Sequence, residues 1–273
     1  MSGSTLVSTE ELSRSLGRWR LFDCRHDLMQ PALGEQQYRE SHIPGALFAH
    51  LDRDLSGAKT GANGRHPLPR REAFIAWLGG QGLQPSDQAV CYDGGNGAMA
   101  ARLWWMLRWA GHGAAAVLDG GFAKWVAEKR PVTADLPRFP ATQYPRRPAL
   151  AAAVDVADVG KAALLVDARA PVRFRGEQEP IDPVAGHIPG ARNRFNAENI
   201  SPQGTFKSAA ELKREYEALL GAASASEAVH YCGSGVAACH NLLAMEIAGL
   251  PGGRLYAGSW SEWSADPKRP VAR

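Results

Sequence analysis

Short apolar runs alternate along this chain with stretches in which apolar residues return at helical spacing. Leu21-Phe22, Val90-Cys91-Tyr92, Leu164-Leu165-Val166 and Ala228-Val229-His230-Tyr231 are runs of the first kind, each too short for a buried helix and bounded by polar or glycine-rich residues. Met99 to Leu107 is a stretch of the second kind, and so are Val236, Cys239, Leu243 and Ile247, which fall on one helical stripe. Thr9-Glu10-Glu11-Leu12 offers an N-cap followed by acidic residues and predicts a short helix. Apolar strands buried on both faces and alternating with helices predict an α/β fold, a parallel sheet covered by helices on both faces. In such sheets sites form at the carboxyl ends of strands.

The pattern occurs twice. Leu21-Phe22-Asp23-Cys24-Arg25 followed by His42-Ile43-Pro44-Gly45-Ala46 returns as Leu165-Val166-Asp167-Ala168-Arg169 followed by His187-Ile188-Pro189-Gly190-Ala191, at offsets of 167 − 23 = 144 and 187 − 42 = 145. Val90-Cys91-Tyr92-Asp93-Gly94-Gly95 returns as Val229 to Ser234 (229 − 90 = 139), and Asp119-Gly120-Gly121-Phe122 to Trp125 returns as Ala257-Gly258-Ser259-Trp260 to Trp263 (263 − 125 = 138). Slowly drifting offsets of this size indicate a duplicated domain rather than a short-period solenoid. Pro131, Pro137, Pro140, Pro145 and Pro148 crowd the region between the copies, a composition that predicts an extended linker. The expected organisation is a domain at 1–133, a proline-rich linker at 134–149 and a second domain at 150–273. The histidine of each His-Ile-Pro-Gly-Ala segment reads as a hydrogen-bonded turn residue, since both halves carry it.

One stretch carries candidate chemistry. The run ending at Tyr231 leads into Cys232-Gly233-Ser234-Gly235-Val236-Ala237 and then into a helical stripe, so Cys232 is expected at the end of a strand, in a tight loop ahead of a helix. Backbone N–H groups turned inward by such a loop, with the partial charge of the helix N-terminus, favour a thiolate. A buried strand-end cysteine before an ordinary glycine turn is the alternative for a lone Cys-Gly pair; the full six-residue loop favours the nucleophile. In the first half Asp93 occupies the corresponding position, so only the second half is expected to react. Cys239, seven residues on and within the apolar stripe, reads as a packed core thiol.

Composition narrows the classes. The chain has 273 residues, 45% hydrophobic and 22% charged, with a formal charge of +3 and no basic run, which argues against a nucleic-acid partner. Arg65, Arg70 and Arg71 form the nearest approach to a cluster and read as a solvated face. Four cysteines without Cys-x-x-Cys or Cys-x-x-His spacing suggest neither a disulfide framework nor a metal site, and fit a reducing compartment. No stretch reaches the roughly 18 apolar residues of a spanning helix, and the residues from Met1 to Leu6 lack a basic, then apolar, leader pattern. The expectation is a cytoplasmic protein away from the membrane.

The loop Cys232 to Ala237, together with His-Ile-Pro-Gly-Ala in both halves, resembles the rhodanese superfamily, and most of all its 3-mercaptopyruvate sulfurtransferase branch; the likeness spans nearly the whole chain. This resemblance implies two tandem rhodanese-like domains and a Cys232 that accepts a sulfane sulfur as a persulfide and passes it to a thiophilic acceptor, cyanide or a thiol such as thioredoxin. No cofactor or metal is implied. In that branch a serine two residues past the cysteine works with a histidine and an aspartate, which places Ser234, His66 and Asp52 in those roles. His50 and Asp54 stand close enough to Asp52 to be alternatives if the segment is shifted. Gly233, Gly235, Val236 and Ala237 would hold the substrate through the loop, and Arg173 aligns with one of two carboxylate-binding arginines. The second has no counterpart in Glu179-Pro180-Ile181-Asp182-Pro183, and Arg175, two residues beyond Arg173, is the candidate to substitute for it.

Three other readings compete. A cysteine phosphatase would place an arginine at the end of the loop to clamp phosphoryl oxygens, where this chain has Ala237 and Ala238. A non-catalytic rhodanese-like binding module has no need of Cys232. A thiosulfate sulfurtransferase is the alternative within the enzyme class, disfavoured because the residues after Cys232 are neutral while a stabilised enolate leaving group suits a hydroxyl backed by an imidazole.

Overall fold

The computed structural model describes residues 5–273; residues 1–4, part of the stretch read for a leader, lie outside the described residues. The chain forms two compact units, which differ from a simple cut into halves. The first comprises the chain up to Ser56, Pro69–Leu150 and Pro202–Phe206; the second comprises Gly57–Leu68, Ala151–Ser201 and Lys207–Arg273.

In the first unit β1 (Leu6–Val7), β2 (Arg20–Asp23), β3 (Ala46–Phe48), β4 (Ala89–Tyr92) and β5 (Ala115–Leu118) form a five-stranded sheet in the order β1-β5-β4-β2-β3, every pair parallel. The second unit repeats this order with β6 (Ala152–Ala153), β7 (Leu164–Asp167), β8 (Arg192–Asn193), β9 (Ala228–Tyr231) and β10 (Arg254–Leu255), arranged β6-β10-β9-β7-β8 and again parallel throughout. The helices are α1 (Thr9–Arg14), α2 (Leu33–Glu40), α3 (Arg71–Gly80), α4 (Ala98–Trp109) and α5 (Gly121–Ala127), then α6 (Val156–Val159), α7 (Pro171–Phe174), α8 (Ala209–Leu220), α9 (Ala237–Ile247) and α10 (Ser259–Trp263). The central strands β4 and β9 are buried at all four positions, as expected of apolar runs covered on both faces. Trp125 lies in the core of the first unit and Trp260 in that of the second, each completely shielded from water.

Local chemistry explains the details. Ser8, not Thr9, caps α1, and its side chain and that of Glu11 satisfy each other's backbone N–H groups. His42 binds the Tyr38 carbonyl through Nδ1 at 2.6 Å and His187 the Phe174 carbonyl at 2.8 Å, the turn role expected of both. Residues 134–150 form neither helix nor strand, yet they do not hang free. Thr142 donates through its backbone N–H to Gly79 O (2.8 Å) and through its hydroxyl to Leu83 O (2.7 Å), and the buried Tyr144 hydroxyl meets His112 Nδ1 at 2.7 Å. The prolines thus form a strap fastened to the first unit. Among the described residues no helix is long and apolar enough to cross a membrane.

Candidate active site

Cys232 follows β9 directly and α9 begins at Ala237, so the first five of the six residues read as a loop form the strand-to-helix turn at the carboxyl end of the central strand and the sixth opens the helix. Gly235 has φ of +75°, and a Cβ there would lie 2.3 Å from the Ala257 carbonyl oxygen, so both the backbone conformation and the space require glycine. Cys232 is 3% exposed. Three bonds to one short segment fix the backbone of Cys232 and Gly233: Cys232 N–H donates to Ser259 Oγ (3.1 Å), Trp260 N–H to Cys232 O (3.0 Å) and Ser261 N–H to Gly233 O (2.9 Å).

The corresponding turn of the first unit, from Asp93 to α4, demonstrates what such a loop attracts. Asp93 folds its own carboxylate into it, Oδ1 accepting from Gly95 and Gly97 N–H (2.9 and 3.0 Å) and Oδ2 from Met99 and Ala100 N–H (2.9 and 3.2 Å). Four converging N–H groups form an anion cradle. Where Asp93 supplies the anion in the first unit, the second carries Cys232 at that position.

His66 and Ser234 meet within the second unit, because the segment Gly57–Leu68 packs there: His66 Nδ1 lies 2.7 Å from Ser234 Oγ, and both residues are 5% exposed. Pro67 O accepts from Gly57 N–H (2.8 Å) and Arg65 N–H donates to Ser261 Oγ (3.0 Å), which hold the segment around the histidine. Asp52 belongs to the first unit, where its carboxylate lies 3.9 Å from His26 Nε2 and its N–H donates to His50 Nδ1 (3.1 Å). His26, His50 and Asp52 offer potential ligand atoms within 4.8 Å of one another. A His50 Nδ1 that accepts from the Asp52 and Arg53 N–H groups leaves the ring proton on Nε2, which disfavours metal ligation by that nitrogen. Asp54, the other carboxylate considered, accepts from His50 N–H at 2.8 Å.

Two guanidinium groups close over the loop. A Cβ on Gly233 would lie 2.7 Å from Arg65 Nη2 and 3.6 Å from both Nη atoms of Arg173, so glycine here makes room for two cations beside the cysteine. Arg173 binds Glu179 Oε1 at 2.5 Å and Asp182 Oδ2 at 3.3 Å, and Arg65 Nη1 bonds to Asp182 Oδ1. Burial raises the Glu179 pKa, but the bond from Arg173, the Asp182 N–H, the Arg173 charge and the Ile181 N–H together bring it below the usual glutamate range. Arg175 sits at the end of a helical turn, and it turns outward to Glu177 at 2.6 Å.

A rhodanese-like domain model matches residues 8–128 and again 151–266. This chain belongs to the rhodanese family. A Pseudomonas aeruginosa protein named a probable 3-mercaptopyruvate sulfurtransferase is 45% identical, over 100% of this chain and 99% of its own length. A thiosulfate sulfurtransferase of Gallus gallus is 34% identical, over 96% and 93%. The structure of a 3-mercaptopyruvate sulfurtransferase from Leishmania major superposes with a TM-score of 0.89 at 33% identity, covering 99% of this chain and 77% of that one.

Set against this rhodanese framework, Arg65 is the residue the sequence left aside. Its side chain is only 27% exposed and is tied to an Asp182 that is 4% exposed, so it is no part of a solvated face. Its signal was its place immediately before His66 in the segment read for the histidine.

Proposed function

We propose that this protein is a sulfurtransferase that takes sulfur from 3-mercaptopyruvate onto Cys232 and passes it to a thiophilic acceptor. The observation that carries the reading is the 2.7 Å pair of His66 and Ser234, two residues along the loop from Cys232. The Cys232 thiolate attacks the donor sulfur, the carbon–sulfur bond breaks toward the pyruvate fragment as an enolate, and Cys232 is left as a persulfide. Ser234 serves the enolate as hydrogen-bond donor and proton source, and His66, in hydrogen-bond contact with that hydroxyl, replaces the proton. Cyanide or a thiol then attacks the outer sulfur and returns the thiolate.

Gly233, Gly235, Val236 and Ala237 supply the backbone around the sulfur, and Arg173 binds the donor carboxylate. Arg65 stands as the second cation, from an unexpected part of the chain. Asp52 keeps the third place implied by its motif position. A small thiol protein such as thioredoxin is the acceptor class, and four free, buried cysteines suit a reducing, cytoplasmic setting.

Thiosulfate deserves weighing as donor, since two guanidinium groups beside the loop would attract a dianion. Glu179 and Asp182 balance those two charges, however, so the pair offers guanidinium hydrogen bonds to a single carboxylate but no net positive charge to favour a dianion. The test is kcat/KM for both donors with cyanide, together with intact mass after donor treatment. We expect mercaptopyruvate to lead and one added sulfur (about 32 Da) to appear in wild type and Cys239→Ser but not in Cys232→Ser. A lead for thiosulfate would overturn the choice of donor, and labelling of Cys232→Ser the nucleophile.

A further inference from the structure

Ser259 is one of two non-glycine residues with positive φ among those described, at +56°, and it is fully buried. The left-handed region is unfavourable for any residue with a Cβ, and such conformations persist where the surroundings impose them. The duplication supplies an internal control. In the first unit the corresponding residue is Gly121, with φ of +57°, and the flanking bonds are the same: Phe122 N–H donates to Asp93 O (2.8 Å) and Ala123 N–H to Gly94 O (3.1 Å), just as Trp260 N–H donates to Cys232 O and Ser261 N–H to Gly233 O. The backbone design therefore does not need a side chain here. The half with the cysteine nevertheless carries one.

Its hydroxyl accounts for the difference. Ser259 Oγ accepts the Cys232 N–H at 3.1 Å and donates to Tyr256 O at 2.9 Å, so it joins β10's exit to the nucleophile itself. We propose that Ser259 is a positioning residue for sulfur transfer, holding the Cys232 backbone through its N–H at the expense of a strained conformation that glycine would relieve. The hydroxyl touches neither donor nor acceptor. It acts by fixing the backbone from which Sγ is presented, and it completes a three-point grip with the Trp260 and Ser261 N–H groups. The proposal rests on Cys232 being the reacting thiol.

Two substitutions separate the hydroxyl from the strain. Ser259→Ala removes the hydroxyl and keeps the unfavourable φ; Ser259→Gly removes both. In the full chain, kcat for mercaptopyruvate with cyanide should fall by about threefold to tenfold in both variants, the range that one lost hydrogen bond commands, with KM within twofold of wild type. Thermal midpoints should diverge, Ser259→Gly melting above Ser259→Ala by roughly 2 °C or more. Activity would then follow the hydroxyl while stability follows φ. The rate of Cys232 alkylation by iodoacetamide, read by peptide mass, should change in both variants by the same factor. Wild-type kcat in Ser259→Gly would overturn the proposal, as would activities ranked in the order of the midpoints. Alkylation needs no donor, so an altered rate in an enzyme inactive on mercaptopyruvate would refute the proposed substrate and leave the positioning role standing.

Discussion

Replacing Arg65 by methionine keeps most of the aliphatic stem and removes the guanidinium that lies over Gly233. A charge-assisted hydrogen bond to the donor carboxylate is worth about 1.5–3 kcal/mol, which at 1.4 kcal/mol per decade raises KM roughly tenfold to more than a hundredfold. The carboxylate is remote from the breaking carbon–sulfur bond, so its loss weakens ground state and transition state alike, and kcat should stay within about threefold. Asp182 complicates the single variant, since without Arg65 its nearly buried carboxylate retains only the 3.3 Å contact to Arg173 among its two guanidinium partners. Arg65→Met in an Asp182→Asn background removes that unpaired charge and should show the same KM effect with less loss of stability. The assay is initial-rate pyruvate release over a range of mercaptopyruvate at fixed cyanide. Mercaptoacetone, the same donor with a methyl group in place of the carboxylate, gives the control: its slow turnover should be indifferent to Arg65. An unchanged KM for mercaptopyruvate, or an equal loss on mercaptoacetone, would refute the carboxylate role.

Further expectations follow from the same geometry. Ser234→Ala and His66→Asn should each lower kcat by about 100-fold, and the double variant should be no worse than the poorer single one, because the two act as a unit; additive losses would count against it. Asp52→Asn should lower kcat by about tenfold if the carboxylate serves the reaction, and a loss within twofold in a pH-rate series would remove it from the site. His230, fully buried on β9 with neither ring nitrogen hydrogen-bonded, has its pKa pushed down to about 3 by burial. The unfolded chain then binds more protons than the folded one between that value and the ordinary ~6.5, so its contribution is intact above pH 6.5 and is lost as pH falls, by about 2 kcal/mol at pH 5. His230→Leu should flatten this part of the acid limb in urea unfolding at pH 7 and 5, and an unchanged slope would show that His230 is not its source.

The centre of each sheet was legible because doubly buried strands leave apolar runs that no other element explains at that length, and the repeat made each run count twice; the edge strands β6 and β8, exposed or polar, leave no such run. The reactive loop was legible for a similar reason, since a strand, glycines and a helical stripe in succession permit few geometries. What the sequence withheld depends on packing between distant positions. The partnership of His66 with Ser234 could be read only through the family resemblance, because it spans 168 residues and depends on Gly57–Leu68 joining the second unit, which no local propensity encodes. Asp182 looked like the loss of a cation, yet its carboxylate draws Arg65 in from the same displaced segment. Ser259 is written as an ordinary serine, and only its φ and its bond to Cys232 distinguish it.

The carboxylate of Asp93 in its own loop has a thermodynamic consequence for the pair. A ligand built into the chain occupies its cradle at an effective concentration that free anions cannot readily match, so the first unit's loop is filled without any anion from solution. The stability of the second unit is open to mass action, since an anion that binds only its folded form raises its midpoint by the logarithm of concentration. Two copies of one architecture thus divide into a thermodynamic reference and a sensor, and added sulfite should slow amide hydrogen exchange around Cys232 while leaving that around Asp93 unchanged.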